Sequence, residues 1–137
     1  MSYRFSPTPQ SLQELHKTLF QDSEFAFTAG QWRTLPLKGG KTVFAPAYQV
    51  PSLIDELFAK KRTTLVDIID WTVSAVGYIH PFLDGNRRTC WQFANLWLIY
   101  LCYPPINWEY IRPYWEADIQ KDIDLEERIQ NITLLLS

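Results

Sequence analysis

Residues 80–88 read His-Pro-Phe-Leu-Asp-Gly-Asn-Arg-Arg and gather one of the chain's two histidines, a carboxylate and two arginines into nine positions. His80, with an unperturbed pKa of about 6.5, can take a proton from an attacking hydroxyl near neutral pH. Asp84 offers a hard carboxylate oxygen to a hard cation such as magnesium. Pro81 and Gly85 force a loop, and Asn86 opens the helix that follows. That helix start presents unpaired backbone N–H groups and the positive end of a dipole, a receiver for phosphate. Gly85, just before it, lets backbone amides turn inward as an anion nest. Arg88 falls in the first turn, where a cation is repelled unless an anion is bound beside it. Base, magnesium and phosphate together describe nucleotide chemistry on a hydroxyl. Each residue alone also fits a capped helix with a buried histidine bonded to backbone; the five together fit that reading poorly.

A small polar cluster needs a rigid scaffold, and the flanking segments are the most apolar of the chain. In "TLVDIIDWTVSAVGYIH", Asp67, Asp70 and Ser74 form a polar stripe opposite Leu65, Ile69, Val73 and Val76, which predicts a helix capped by Thr63 or Thr64 and ended by His80. Residues 86–102 form a long apolar helix whose Arg88, Gln92 and Asn95 make one narrow polar stripe, the pattern of a bundle's buried centre. Upstream, Ser6 or Thr8 with Pro9 starts a short helix to about Phe20. Gly39-Gly40 is a turn signal between "RTLPL" and "KTVFA", so a β-hairpin is expected over 31–46, with Pro36 on an edge strand. Pro51 starts a helix through about Lys61. Two short helices end the chain, and the six acidic residues against one lysine between positions 116 and 127 read as a solvated face. The expectation is one mainly helical, all-α domain over 1–137 with a small β-hairpin.

Composition excludes several classes. At 137 residues, with 47% hydrophobic and 15% aromatic residues, the chain can bury a sizeable core. A net charge of −2 with 20% charged residues gives no basic face for nucleic acid or a membrane surface. Cys90 and Cys102 lie in what reads as a single helix; twelve residues of helix span about 18 Å, beyond disulfide reach, so both are expected reduced and the setting cytoplasmic. The first ten residues lack the apolar core of a signal peptide. The apolar run 96–106 is too short to span a bilayer and contains Pro104-Pro105. Two histidines and two separated cysteines make no zinc site, and His16 reads as a surface histidine. There is no Gly-x-x-x-x-Gly-Lys-Ser/Thr phosphate loop. The tryptophans read as core, with Trp91 one turn past Arg87 and Arg88, placed to wall a nucleotide site.

"HPFLDGNRR" resembles the signature of Fic proteins in the Fido superfamily, His-Pro-Phe-x-Asp/Glu-Gly-Asn-Gly-Arg-x-x-Arg. The hairpin followed by "APAYQVPSLIDELF" extends the resemblance over about 30–105. It implies a helical fold with a β-hairpin flap and transfer of AMP from ATP to a serine, threonine or tyrosine of a target protein. His80 then matches the base and Phe82 the buried anchor of the loop. Asp84 matches the magnesium ligand, Gly85 and Asn86 the anion nest, and Arg88 the phosphate-binding arginine. Lys41, Thr42, Val43 and Phe44 match the flap edge that clamps target backbone by strand addition.

Two positions depart from the signature: Arg87 replaces its second glycine and Trp91 its final arginine, which helps hold the outer phosphates. The death-on-curing branch shows a similar pair of changes. It binds ATP reversed and phosphorylates its target, so Arg87 joins the nucleotide-contacting residues implied here, or is a solvated surface arginine. A kinase of that type is the second reading. A degenerate domain binding nucleotide or peptide without turnover is the third, though mere binding needs no base at His80. The inhibitory Ser/Thr-x-x-x-Glu-Gly/Asn helix of many Fic proteins is missing, since Glu56 has Ser52 before it but Leu57 after it. Self-inhibition of that type is not expected, which leaves a separate antitoxin partner or no inhibition at all.

Overall fold

The computed structural model describes residues 5–24, 26–39 and 42–136. Helix α1 (Pro9–Phe20) starts at Thr8, whose hydroxyl accepts from the Ser11 N–H, with Pro9 in the first turn where its missing donor costs nothing. Helix α2 (Val50–Ala59) carries Pro51 in its first turn for the same reason. Helix α3 (Leu65–Ser74) is capped by Thr64, and Asp67 reciprocates by accepting from the Thr63 and Thr64 N–H groups. Helix α4 (Asn86–Tyr100), helix α5 (Trp108–Gln120) and helix α6 (Leu125–Leu135) complete a mainly helical fold.

Helix α4 is the centre of the bundle. Cys90, Trp91, Phe93, Ala94, Trp97 and Leu98 are all buried, packed on one flank by Trp71 of α3 and on another by Leu12 of α1. Truncating any one of the large rings to alanine would remove about 3–5 kcal/mol. Asn95 fixes the return from α4, accepting from the Ile106 N–H and the Trp108 indole N–H while donating to the Ile106 carbonyl.

Between α3 and the loop, residues Ala75–Ile79 form a single π turn, closed by the His80 N–H on the Ala75 carbonyl at 2.8 Å. His80 ends it in the left-handed region, φ 49°.

Three expectations need correction. Strand pairing in the 31–46 segment is confined to β1 (Lys38–Gly39) and β2 (Thr42–Val43), antiparallel, with Lys38 opposite Val43 and Gly39 opposite Thr42. "RTLPL" does not pair: Arg33 is buried and bonded to the backbone at Ala45, Ile79, His80 and Pro81, while Thr34, Leu35 and Pro36 after it are exposed; Gly40 and Lys41 lie outside the described residues. Helix α4 ends at Tyr100, so Cys102 is not helical but sits at φ 68° in the following turn, exposed, while Cys90 is buried and its thiol is pushed strongly up by burial. His16 is not on the surface but 2% exposed. Among the described residues no helix is long and apolar enough to cross a membrane.

Candidate active site

Arg33 organises the floor of the site. It is 3% exposed, and its guanidinium gives every bond to backbone: Nε to the His80 carbonyl at 2.6 Å, Nη1 to Leu35, Nη2 to Ala45 and Ile79. Its own N–H donates to the Pro81 carbonyl, and the Ala45 N–H to that of Tyr78. One buried cation thus staples the 33–45 strap to the turn that carries His80. The residue is absent from the sequence-based expectations, because its partners lie up to 47 positions away.

His80 faces the site with a defined tautomer. Its Nδ1 lies 3.0 Å from the Val76 carbonyl, which can only accept, so Nδ1 carries the proton and Nε2 the lone pair. The ring stacks on Phe44 at 3.9 Å. Burial, aided by the charges of Arg33 and Arg87 and opposed by the Val76 bond and Asp84, holds its pKa below 6.5, leaving the imidazole neutral at physiological pH.

The loop is locked from within. The Asn86 side chain, buried, accepts from the Phe82 N–H and donates to the Phe82 carbonyl, both at 2.8 Å. Phe82 is fully buried and stacks on His16 at 3.8 Å. Gly85 lies at φ 78°, and a Cβ there would run into the Phe20 ring, so the position excludes side chains twice over. Helix α4 has no side-chain cap, which leaves the first-turn donors to whatever occupies the cavity. Asp84 is exposed beside them, one carboxylate oxygen accepting from the Gly85 N–H at 2.6 Å.

A cavity of about 810 Å³ opens on this loop. His80, Asp84, Gly85, Asn86, Arg87 and Arg88 line one side; Arg112, Trp115 and Glu116 of α5 and Arg128 of α6 face them. The volume is in the range that holds a nucleotide. Arg88 is exposed, its guanidinium 5.3 Å from the Phe20 ring. Arg87 is neither free nor simply solvated, because its Nη1 pairs with Glu116 at 3.0 Å. The same Glu116 oxygen accepts from Arg112, so the acidic run is not purely a solvated face. Trp91 walls the cavity, stacked on Trp108 at 5.4 Å. Val43 is exposed, Phe44 turns inward onto His80, and Thr42 pairs with Gly39; Lys41 lies outside the described residues.

The Fic/DOC family profile matches residues 6–98. The chain belongs to this family. No curated protein matches it. Family membership makes a Fic-type transferase the general class of enzyme. The matched span of this Fic domain includes α1, the strap, the loop and most of α4; α5 and α6, which close the far side of the cavity, lie beyond it.

His16 is the second residue that local patterns do not reveal. Its Nδ1 accepts from the Gly30 N–H at 2.8 Å, so Nε2 is protonated and donates to the Asp84 carbonyl at 2.9 Å. It therefore braces the Fic loop from behind. Burial lowers its pKa, against the raising effects of the Asp84 carbonyl and carboxylate. Because the folded value is depressed, the unfolded chain binds the proton first. Stability from His16 is complete above 6.5 and is lost as pH falls from there through the folded value. Thermal midpoints measured at about pH 7 and about pH 5 should show that fall, and His16→Gln should reduce it. An equal fall in both proteins would count against His16 as a source.

Proposed function

We propose that this Fic domain transfers AMP from Mg-ATP to a serine, threonine or tyrosine hydroxyl of a target protein. The observation that carries this reading is the unprotonated Nε2 of His80 in a cavity that also bears Asp84 and the uncapped start of α4. The hydroxyl oxygen attacks the α-phosphorus as Nε2 takes its proton. The bond from the α-phosphorus to the bridging oxygen breaks, and pyrophosphate departs. Backbone amides of residues 86–88 and the Arg88 guanidinium stabilise the charge that builds on the phosphate oxygens.

Asp84 fits magnesium. The ion is commonly held by one or two carboxylates plus substrate phosphates, and among the described residues no cluster of three metal-binding side chains exists to form a protein cage. Bound there, magnesium would neutralise phosphate charge. A target segment would dock by adding a strand at the β2 edge, with Val43 exposed to meet it. The target would be met in the cytoplasm.

The second reading, phosphoryl transfer with ATP reversed, is favoured by Arg87 and Trp91. Incubation with a bacterial lysate and ATP labelled at either the α or the γ position separates the two. Label carried from the α position alone supports AMP transfer. Label from the γ position alone supports the kinase, and label from neither, in a folded protein, sinks both.

A further inference from the structure

Two arginines from different helices meet at a single oxygen in the cavity. The Arg87 Nη1 of α4 and the Arg112 Nε of α5 both donate to Oε1 of Glu116, each at 3.0 Å. All three residues line the cavity that opens on the His80 loop. Their side chains are 37%, 46% and 47% exposed, so an anion arriving from solvent can reach them. Hydrogen bonds from Arg112 and then from Arg87 hold the Glu116 carboxyl below its ordinary range, which keeps it ionised at neutral pH. The Arg87 guanidinium lies over the Trp91 ring, 5.8 Å from its centroid, and its charge acts on His80. The meeting point therefore stands on the histidine's side of the cavity. Among the described residues the cavity is lined by five lysine or arginine side chains against three carboxylates, in a chain whose net charge is −2.

A carboxylate oxygen flanked by two guanidinium groups marks a place where an anionic oxygen is held. An exposed ion pair adds little to stability, so this one opens at small cost. A phosphate group brings more charge and more acceptor oxygens, which suits the guanidinium fork better than one carboxylate oxygen does. We propose that Arg87 and Arg112 form a two-arginine subsite for the β- and γ-phosphates of the nucleotide, with Glu116 as the placeholder that they displace. This rests on the nucleotide reading above, in which those two phosphates leave as pyrophosphate. It brings α5, which lies beyond the span matched by the family profile, into the nucleotide site. The cation missing at position 91 is then supplied from one turn earlier, by Arg87 laid over the tryptophan, and from across the cavity by Arg112.

The test is calorimetric titration of the full chain with ATP, AMP and pyrophosphate without magnesium, so that protein cations alone meet the phosphates. Arg112→Gln is expected to bind ATP and pyrophosphate roughly tenfold more weakly, with AMP within about twofold of the parent. Glu116→Gln removes the placeholder's charge and should bind ATP and pyrophosphate roughly threefold more tightly. Both side chains are exposed, so both variants should melt close to the parent. ATP binding unchanged in Arg112→Gln overturns the subsite, and if pyrophosphate alone is weakened the pair binds a free anion and not the nucleotide. ATP and AMP weakened alike put Arg112 on the α-phosphate and overturn the assignment to the outer two. Weaker ATP binding in Glu116→Gln overturns Glu116 as a placeholder. A parent that binds no ATP overturns both this subsite and the nucleotide reading. A parent that binds ATP but transfers no label in the lysate loses only the AMP-transfer reading, and the binding comparison still decides the subsite.

Discussion

Arg33→Ala is expected to cost about 3–5 kcal/mol, a large fraction of the roughly 5–15 kcal/mol that holds a domain of this size. The guanidinium serves the carbonyls of Leu35, Ala45, Ile79 and His80 at once, inside a part of the protein with little access to water. Alanine leaves four acceptors without that donor and opens a space where water fits poorly. Lysine should rescue little, since a single ammonium cannot reproduce the fork that reaches both sides of the strap. Urea unfolding gives the number. A variant within about 1 kcal/mol of the parent would mean that the strap is held by its backbone bonds alone.

His80→Ala should lower transfer by about 10²–10⁴-fold while leaving the fold and nucleotide binding nearly intact. The ring makes one bond to the Val76 carbonyl and one stack with Phe44, so little of the core depends on it. Because its pKa is depressed by burial and by Arg33 and Arg87, the parent's rate should stay level through neutral pH. It should fall only with an inflection below 6.5. Full activity in the alanine variant, or an inflection above 6.5, would remove His80 from the role of base.

The loop from His80 to Arg88 was legible because its chemistry is local. The residue types, the proline, the glycine and the helix start all fall within nine positions. Helices α1 and α3 were legible for the same reason, as Thr8 and Thr64 are followed within three residues by their partners. What stayed hidden is long-range. His16 reaches Asp84 across 68 positions and Arg33 reaches His80 across 47, and nothing beside either residue tells a buried clasp from a surface charge. The strands shortened because "RTLPL" is held through the Arg33 side chain, bonded to the carbonyls of Ala45, Ile79 and His80, rather than through a ladder with "KTVFA". Arg128 and Glu116 sat inside or beside an acidic run whose composition suggests solvent, yet both line the cavity. Composition reports the average environment of a stretch, while a site uses single residues from it.

The π turn at Ala75–Ile79 sets the phase of everything after it. Widening one turn by a residue rotates the following side chain by about 100° relative to an α-helical continuation. His80 points where it does because of that extra step. If the same residues closed a regular α turn instead, His80 would be swung by that angle out of line with Asp84 and the start of α4. Removing one residue together with the wide turn would cancel the rotation, so the width of this turn and its count of residues are matched, and that match is as much a part of the site as their identities.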